Sequence, residues 1–355
     1  MPSEIKPLLI LRSVDSVGMG AYLDSLSRGL ASEGIEYRIA CGEGRLGLTD
    51  EDEKTVYRIE GLSTRFHNIL SFRSSFRKLR KQNFSVVHIL FEKGVSRLLR
   101  AARIIKRPTV VTVHSPVDEN STHLVKKPVK LLVTSSEAAR SSLVNRGGIP
   151  KEQIVLVPPL IDTSLFDSFH PPENEIPVIG FVGDIEADSG VDTLVEAISR
   201  ILAKDIACHL LLVGKGKGEK RLRALIKQKN LTKKTTFITV YPSYLDILKA
   251  IDIYVVCSAK EDEQASTLLA AMAASKPVIT NASHAIPDIV EDNKTALLVS
   301  AGNVDEMADA LGKLLKDQEL SNRIGKEASN RVRECFPLKK SIEALLSVYQ
   351  AIREG

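Results

Sequence analysis

The chain contains no tryptophan, and aromatic residues make up only 5% of its 355 positions. That is too little for the stacking platform of a lectin or a base-binding module. Cysteine is sparse, with Cys41, Cys208, Cys257 and Cys335 alone. Four cysteines cannot staple a chain of this length. No two stand at metal-ligand spacing, which excludes a zinc ribbon or finger. Each is expected as a free thiol in a reducing compartment. No apolar run reaches the roughly 18 residues of a spanning helix. The apolar stretch near the start, Leu8 to Leu11, is shorter than the core of a secretory signal. These absences imply a cytoplasmic protein.

Acidic residues are scarce in one region. Between Arg65 and Arg107 there are 12 basic residues and one acid, Glu92. Residues 1–165 carry a net charge of +8 and residues 166–355 a net of −3. A basic concentration of this kind suits an anionic partner: a membrane surface, a phosphorylated substrate or nucleic acid. No nucleic-acid motif is present and aromatics are few, so nucleic acid is set aside. Peripheral contact with an anionic membrane at its inner face, through the basic 65–107 region, is retained as an expectation.

With 43% apolar and 26% charged residues the chain is globular in composition, and its length suggests about two domains. Strand candidates are 8–11, 37–41, 86–90, 109–113, 131–134 and 154–157, then 178–182, 209–213, 236–238, 253–257, 277–280 and 296–299. Many are continuous apolar runs, the pattern of strands buried on both faces of a parallel sheet. Between them lie segments of helical period such as 21–33 and 191–202. Strand and helix alternating throughout predict an α/β chain of two doubly wound, Rossmann-like domains. The stretch from Leu160 to Pro177 lacks periodicity and carries Pro171, Pro172 and Pro177, which makes it the linker. The expected domains are 1–165 and 172–337. A helix in 338–355, after the break at Pro337, is expected to cross back to the first domain.

Six segments in order resemble one family: LVTSSEAARSSLVNRGGIPKEQIVLVPPLIDTSLF from Leu132, GFVGDIEADSGVDTLVEA from Gly180, LLLVGKGKG from Leu210, YLDILKAIDIYVVCS from Tyr244, LLAAMAASKPVIT from Leu268 and IPDIVEDNKTALLV from Ile286. Over nearly its whole length the chain resembles the group 1, family 4 glycosyltransferases of the GT-B fold. The resemblance implies two domains facing across a cleft, the first on the acceptor side and the second holding a nucleotide sugar. It implies retaining transfer of the sugar, no metal and no cofactor besides that co-substrate. A diphosphate leaving group then needs Arg, Lys and helix N-terminal amides for its charge.

The resemblance also assigns residues. It places His114 near the donor sugar, where an imidazole bonds hydroxyl groups; the alternative is a histidine ending a strand before the turn at Pro116. It places Gly18 and Gly20 where a missing side chain lets backbone amides approach sugar or phosphate; a plain tight turn is the alternative. The family's first carboxylate falls at Asp262, flanked by Glu261 and Glu263, with Glu261 and Asp262 as catalytic candidates. Glu263, Ala265 and Ser266 are donor-side candidates, as are Gly183, Asp184, Ser189, Gly190, Lys215, Gly216 and Lys217. His88, in VVHIL, is expected to be a satisfied sheet histidine.

The sequence departs from the family pattern at four places. An Arg and a Lys that contact the donor diphosphate are replaced by Asp184 and Ser189. The second Glu, which usually binds the nucleotide ribose, is Ala270. The paired Gly before Ile-Pro is His284–Ala285. Losing two charge-assisted hydrogen bonds removes about 3–6 kcal/mol, on the order of 10²–10⁴ in affinity. Lys215, Lys217 and Lys260 are candidate substitute cations; the alternative for each is a solvated loop. The expected activity is therefore retaining glycosyl transfer to a glycan, lipid or small-molecule acceptor. The alternatives are a catalytically inactive relative serving as a binding subunit, and another GT-B enzyme such as a sugar-nucleotide epimerase. In SFRSSFRKLRKQ, from Ser71, Phe72, Phe76 and Leu79 form one helical stripe ringed by Arg73, Arg77, Arg80 and Lys81. Such a helix lies on an anionic membrane or packs as an ordinary domain helix.

Overall fold

In the computed structural model, the strands β1 (Pro7–Ile10), β2 (Arg38–Cys41), β3 (Val56–Arg58), β4 (Val86–Phe91), β5 (Thr109–Val113), β6 (Val129–Thr134) and β7 (Ile154–Leu156) form one sheet. Every neighbouring pair is parallel, in the order β3-β2-β1-β4-β5-β6-β7. The structure describes residues 5–12, 17–42, 54–62, 69–91, 95–114, 117, 121–169, 174–186, 189–239, 243–257, 264–283 and 286–354. A second parallel sheet is built from β8 (Val178–Val182), β9 (His209–Val213), β10 (Thr235–Ile238), β11 (Ile253–Val255), β12 (Val278–Asn281) and β13 (Leu297–Val299), in the order β10-β9-β8-β11-β12-β13. Both sheets are Rossmann-like, with the order reversing beside the first strand of each. The chain divides into a unit of Met1–Asp15, Tyr22–Asp162 and Leu338–Gly355 and a unit of Ser16–Ala21 and Thr163–Pro337.

The continuous apolar runs are the strands because each is covered on both faces. TVVTV of β5 is buried at all five positions. Each of its three valines contributes about 1.5–3 kcal/mol when buried. Helices α1 (Val17–Ser32, in this unit from Tyr22 onward), α2 (Ile69–Arg80), α3 (Val95–Ile105) and α4 (Glu137–Asn145) belong with the first sheet. The Ser136 hydroxyl caps α4 by accepting from the Ala139 amide at 3.1 Å. The second sheet is accompanied by α5 (Val191–Leu202), α6 (Glu219–Gln228), α7 (Tyr244–Lys249), α8 (Gln264–Ala273), α9 (Ile286–Ile289), α10 (Val304–Lys316) and α11 (Gln318–Cys335). Pro337 separates α11 from α12 (Leu338–Glu354), which packs in the first unit. There Ser341 donates to the Pro159 carbonyl at 3.0 Å. A Cβ on Gly29 of α1 would lie 2.4 Å from Ile342, so only glycine lets α1 and α12 approach.

The apolar stripe of α2 faces inward: Phe72, Phe76 and Leu79 are buried in the core of the first unit. Its outward face carries exposed Arg73, Arg77, Lys78 and Arg80. The amphipathic pattern is thus that of a packed domain helix. The four cysteines are free thiols, three of them buried. Among the described residues no helix is long and apolar enough to cross a membrane.

Candidate functional site

At the carboxyl end of the second sheet, two loops interlock. One follows β8 and holds Gly183 and Asp184; the other follows β9 and holds Lys215, Gly216 and Lys217. The Gly183 amide donates to the Val213 carbonyl at 3.0 Å and Ile185 to the Lys215 carbonyl at 3.0 Å, while Gly218 donates to the Ile185 carbonyl at 2.7 Å. The glycines are required by this contact. A Cβ on Gly214 would stand 2.0 Å from the Gly183 carbonyl oxygen, and one on Gly216 would stand 2.2 Å from that of Ile185. Lys215 and Lys217 are exposed, whereas Asp184 is half-buried.

Gly190 sits just before α5 in the left-handed region, at φ 72°. Its Cβ would lie 2.4 Å from the Cys257 carbonyl oxygen, so the N-terminus of α5 is tucked against the end of β11. A glycine at this cap has no side chain to occupy the first amides of the helix. Those amides and the helix dipole form an anion-binding end. Asn281, at the end of β12, donates to the same Cys257 carbonyl at 3.2 Å. The carboxyl ends of β8, β9, β11 and β12 thereby converge, where ligands bind in open α/β sheets.

Ser189 is buried and its hydroxyl donates to the Glu186 carbonyl at 3.0 Å. Its hydroxyl therefore serves the loop. Ala265 and Ser266 lie half-buried in the first turn of α8. Further along that helix, Ala270 lines a small apolar cavity with Val182, Tyr244, Ile247, Leu248, Tyr254 and Thr267. Glu261, Asp262, Glu263 and Lys260, together with His284 and Ala285, fall outside the described residues.

In the first unit, His114 follows the last residue of β5. Its Nε2 is enclosed and has no hydrogen-bond partner among the described residues. Burial pushes its pKa down to about 4, so at neutral pH the ring donates through one nitrogen and accepts through the other. Gly18 and Gly20, which group with the second unit, lie in the first turn of α1, among amides that lack intrahelical acceptors. His88 is buried with both ring nitrogens bonded, to the Tyr349 hydroxyl and to Thr112 Oγ1, each at 2.6 Å.

This arrangement matches known sequences. Residues 164–331 match the family described as glycosyl transferases group 1, and residues 17–165 match glycosyltransferase family 4. The chain belongs to the group 1, family 4 glycosyltransferases. Over 285 residues it is 24% identical to alpha-D-kanosaminyltransferase of Streptomyces kanamyceticus, covering 71% of this chain and 72% of that protein. For three further curated relatives the match spans only 35% to 43% of their length. In fold it is similar to a glycosyltransferase from Rickettsia africae, with a TM-score of 0.76, 18% identity and 98% of each chain covered. It is likewise similar to Anabaena Alr3699/HepE, solved in complex with UDP and glucose, with a TM-score of 0.79 and 14% identity, over 97% of this chain and 99% of that one. The fold is GT-B, as the sequence resemblance implied. At the positions that the sequence resemblance set aside for donor contacts, this glycosyltransferase presents a half-buried carboxylate at 184, a buried hydroxyl at 189 and a methyl at 270. The Cys257 carbonyl, which accepts from Asn281 and which Gly190 abuts, was not among the sequence candidates. Nothing in its residue type marks a backbone carbonyl of that kind.

Proposed function

We propose that the chain transfers a sugar from a nucleotide sugar with retention at the anomeric carbon and without a metal. The observation that carries this reading is the glycine-capped N-terminus of α5 beside the interlocked loops, in a chain of this family. The amides of α5 receive the diphosphate, and Lys215 and Lys217 supply the positive charge that Asp184 and Ser189 do not. Glu261 and Asp262 serve the reacting sugar, Glu263 the nucleotide side. His114 bonds sugar hydroxyls as a neutral imidazole. The second unit is the nucleotide-sugar domain and the first the acceptor side. The matched relatives are named for different acceptors and sugars, so the acceptor is left as a class: glycan, lipid or small molecule.

A thermal-shift screen of nucleotide sugars, followed by product analysis of the anomeric configuration, tests the reading. A donor at about 100 times its Kd stabilises by about 2.7 kcal/mol. Stabilisation together with a product of unchanged configuration supports the assignment. Inversion overturns retention. No binding by any nucleotide sugar overturns the transferase reading and favours an inactive relative.

We further propose that the basic face of the first unit meets an anionic membrane. Ile69 and Leu70, at the start of α2, are 55% and 75% exposed. Leu70 continues along the helix into exposed Arg73, Arg77 and Lys81, spaced to lie on one face. Two apolar side chains heading a row of cations suit insertion beside anionic headgroups.

A further inference from the structure

Successive side chains of a strand point to opposite faces of its sheet. In the register of β4 and β5, His88 lies beside Val110 and Leu90 beside Thr112. Positions 88, 110, 112 and 114 therefore share one face. The other face carries Val87, Ile89, Val111 and Val113, which pack into the apolar core with α2 and α3. The first face is polar at its centre, and α12 lies across it on β4, β5 and β6.

On that face a chain of contacts runs from the last helix to the end of β5. The Tyr349 hydroxyl and His88 Nδ1 are 2.6 Å apart. His88 Nε2 and Thr112 Oγ1 are 2.6 Å apart. The Thr112 side chain faces the Tyr22 hydroxyl closely enough to oppose the rise that burial imposes on its pKa. The Tyr22 ring then meets the His114 imidazole edge to face, with centroids 4.5 Å apart and planes at 79°. Tyr349, His88, Thr112 and Tyr22 are all buried. Buried polar groups are costly unless each finds its partner, so a satisfied chain of this kind fixes geometry more strictly than an apolar filling. At the far end, His114 Nε2 has no partner among the described residues. Among the described residues no hydrogen bond at that atom orients the ring, whereas the Tyr22 ring packs against it edge to face.

We propose that Tyr22 is a positioning residue for His114, its hydroxyl held by Thr112 and, through His88, by Tyr349 of the terminal helix. The network sets which way the imidazole presents its free nitrogen. It also ties the site side chain to α12, which is otherwise remote in sequence. The proposal rests on the reading of His114 as the residue that meets the sugar.

The test reads the imidazole itself. Ring nitrogen resonances of the full-length protein, labelled with ¹⁵N-histidine, are recorded at neutral pH for the parent, Tyr22→Phe, Thr112→Val, Thr112→Ser and Tyr349→Phe. Tyr22→Phe and Thr112→Val are expected to move the His114 resonances toward a tautomer average. Thr112→Ser, which keeps the hydroxyl, is expected to restore the parent values. Tyr349→Phe is expected to shift His88 strongly and His114 in the same sense by less. Should Thr112→Val fail to fold, Tyr22→Phe, which loses one atom, decides alone. His114 resonances identical to the parent in folded Tyr22→Phe would overturn the proposal. The readout needs no substrate. A His114→Ala variant with unchanged turnover would sink the sugar-contact reading while leaving the positioning result intact.

Discussion

Gly214 stands so close to Gly183 that a Cβ on the former would lie 2.0 Å from the carbonyl oxygen of the latter. The two residues end neighbouring strands, and their contact locks the loop after β8 to the loop after β9. Gly214→Ala must push these backbones apart. Overpacking of this kind costs about 1–3 kcal/mol. Chemical denaturation of the variant should show that loss. A variant as stable as the parent would mean that the loops separate freely and that the glycines answer to a ligand instead.

The family resemblance sets Asp184 where a cation would meet the diphosphate. Asp184→Arg should strengthen binding of a nucleoside diphosphate by about 1–3 kcal/mol, the scale of one charge-assisted hydrogen bond. That is roughly 5- to 150-fold in affinity. Ser189→Lys should add nothing on its own. Ser189 is buried and bonded to the Glu186 carbonyl, so a lysine there has to break the loop before it can help. Calorimetric titration with UDP and GDP measures both. A folded Asp184→Arg variant that binds neither ligand better than the parent would remove the anion site from this end of α5.

His114→Ala should lower kcat while leaving nucleotide affinity nearly unchanged, because only the sugar and its developing charge meet the imidazole under the proposed reading. Burial holds the His114 pKa near 4. Between pH 5 and 8 the ring is neutral, and its ionisation should leave no mark on the rate profile in that range. An inflection near pH 6.5 that disappears in His114→Ala would show that the ring titrates as if exposed.

Much of this architecture was legible because burial on both faces leaves an unmistakable run: TVVTV, VIGFV and HLLLV coincide with β5, β8 and β9. The edge strand β3 was not legible. Val56, Tyr57 and Arg58 pair on one side only and are partly exposed, so they carry no continuous apolar signal. At the site, the sequence marks glycines and charges but not their reason. GKGKG suggests a ligand loop, yet its first two glycines are each accounted for by a neighbouring carbonyl. The chain from Tyr349 to His114 joins positions separated by more than 200 residues, and no local pattern reports such a contact.

The exposed row on α2 predicts salt-sensitive adsorption to anionic vesicles. Each basic side chain near an anionic surface contributes about 1 kcal/mol, screened within a Debye length of about 8–10 Å. Co-sedimentation with phosphatidylserine-containing vesicles should exceed that with pure phosphatidylcholine and fall as salt rises. Ile69→Ser with Leu70→Ser should weaken binding while leaving its salt dependence. Arg73→Glu with Arg77→Glu should abolish it. Equal binding to both vesicle types would refute the anionic-surface reading.

Lys276 offers a test of stability against pH. Its side chain is buried, its ammonium has no hydrogen-bond partner among the described residues, and it stands 5.2 Å from the Phe169 ring centroid. Burial lowers its pKa to about 8, against an opposing pull from Asp252. The unfolded chain holds this proton up to about pH 10.4. Between these values the unfolded state binds more protons than the folded one, so stability rises with pH across that window. Below pH 8 both states are charged and the folded state bears the full desolvation cost. A shift of this size corresponds to about 3 kcal/mol as an upper bound. The contact with Phe169 returns about 0.5–2 kcal/mol of it. Lys276→Met, which keeps the chain length and removes the charge, should therefore be more stable than the parent by about 1–2 kcal/mol at pH 7. The difference should close as the pH approaches 10. Urea unfolding at both pH values is the measurement. A variant less stable than the parent at pH 7 would show that the aromatic contact outweighs desolvation and that the ammonium is held there by favourable partners.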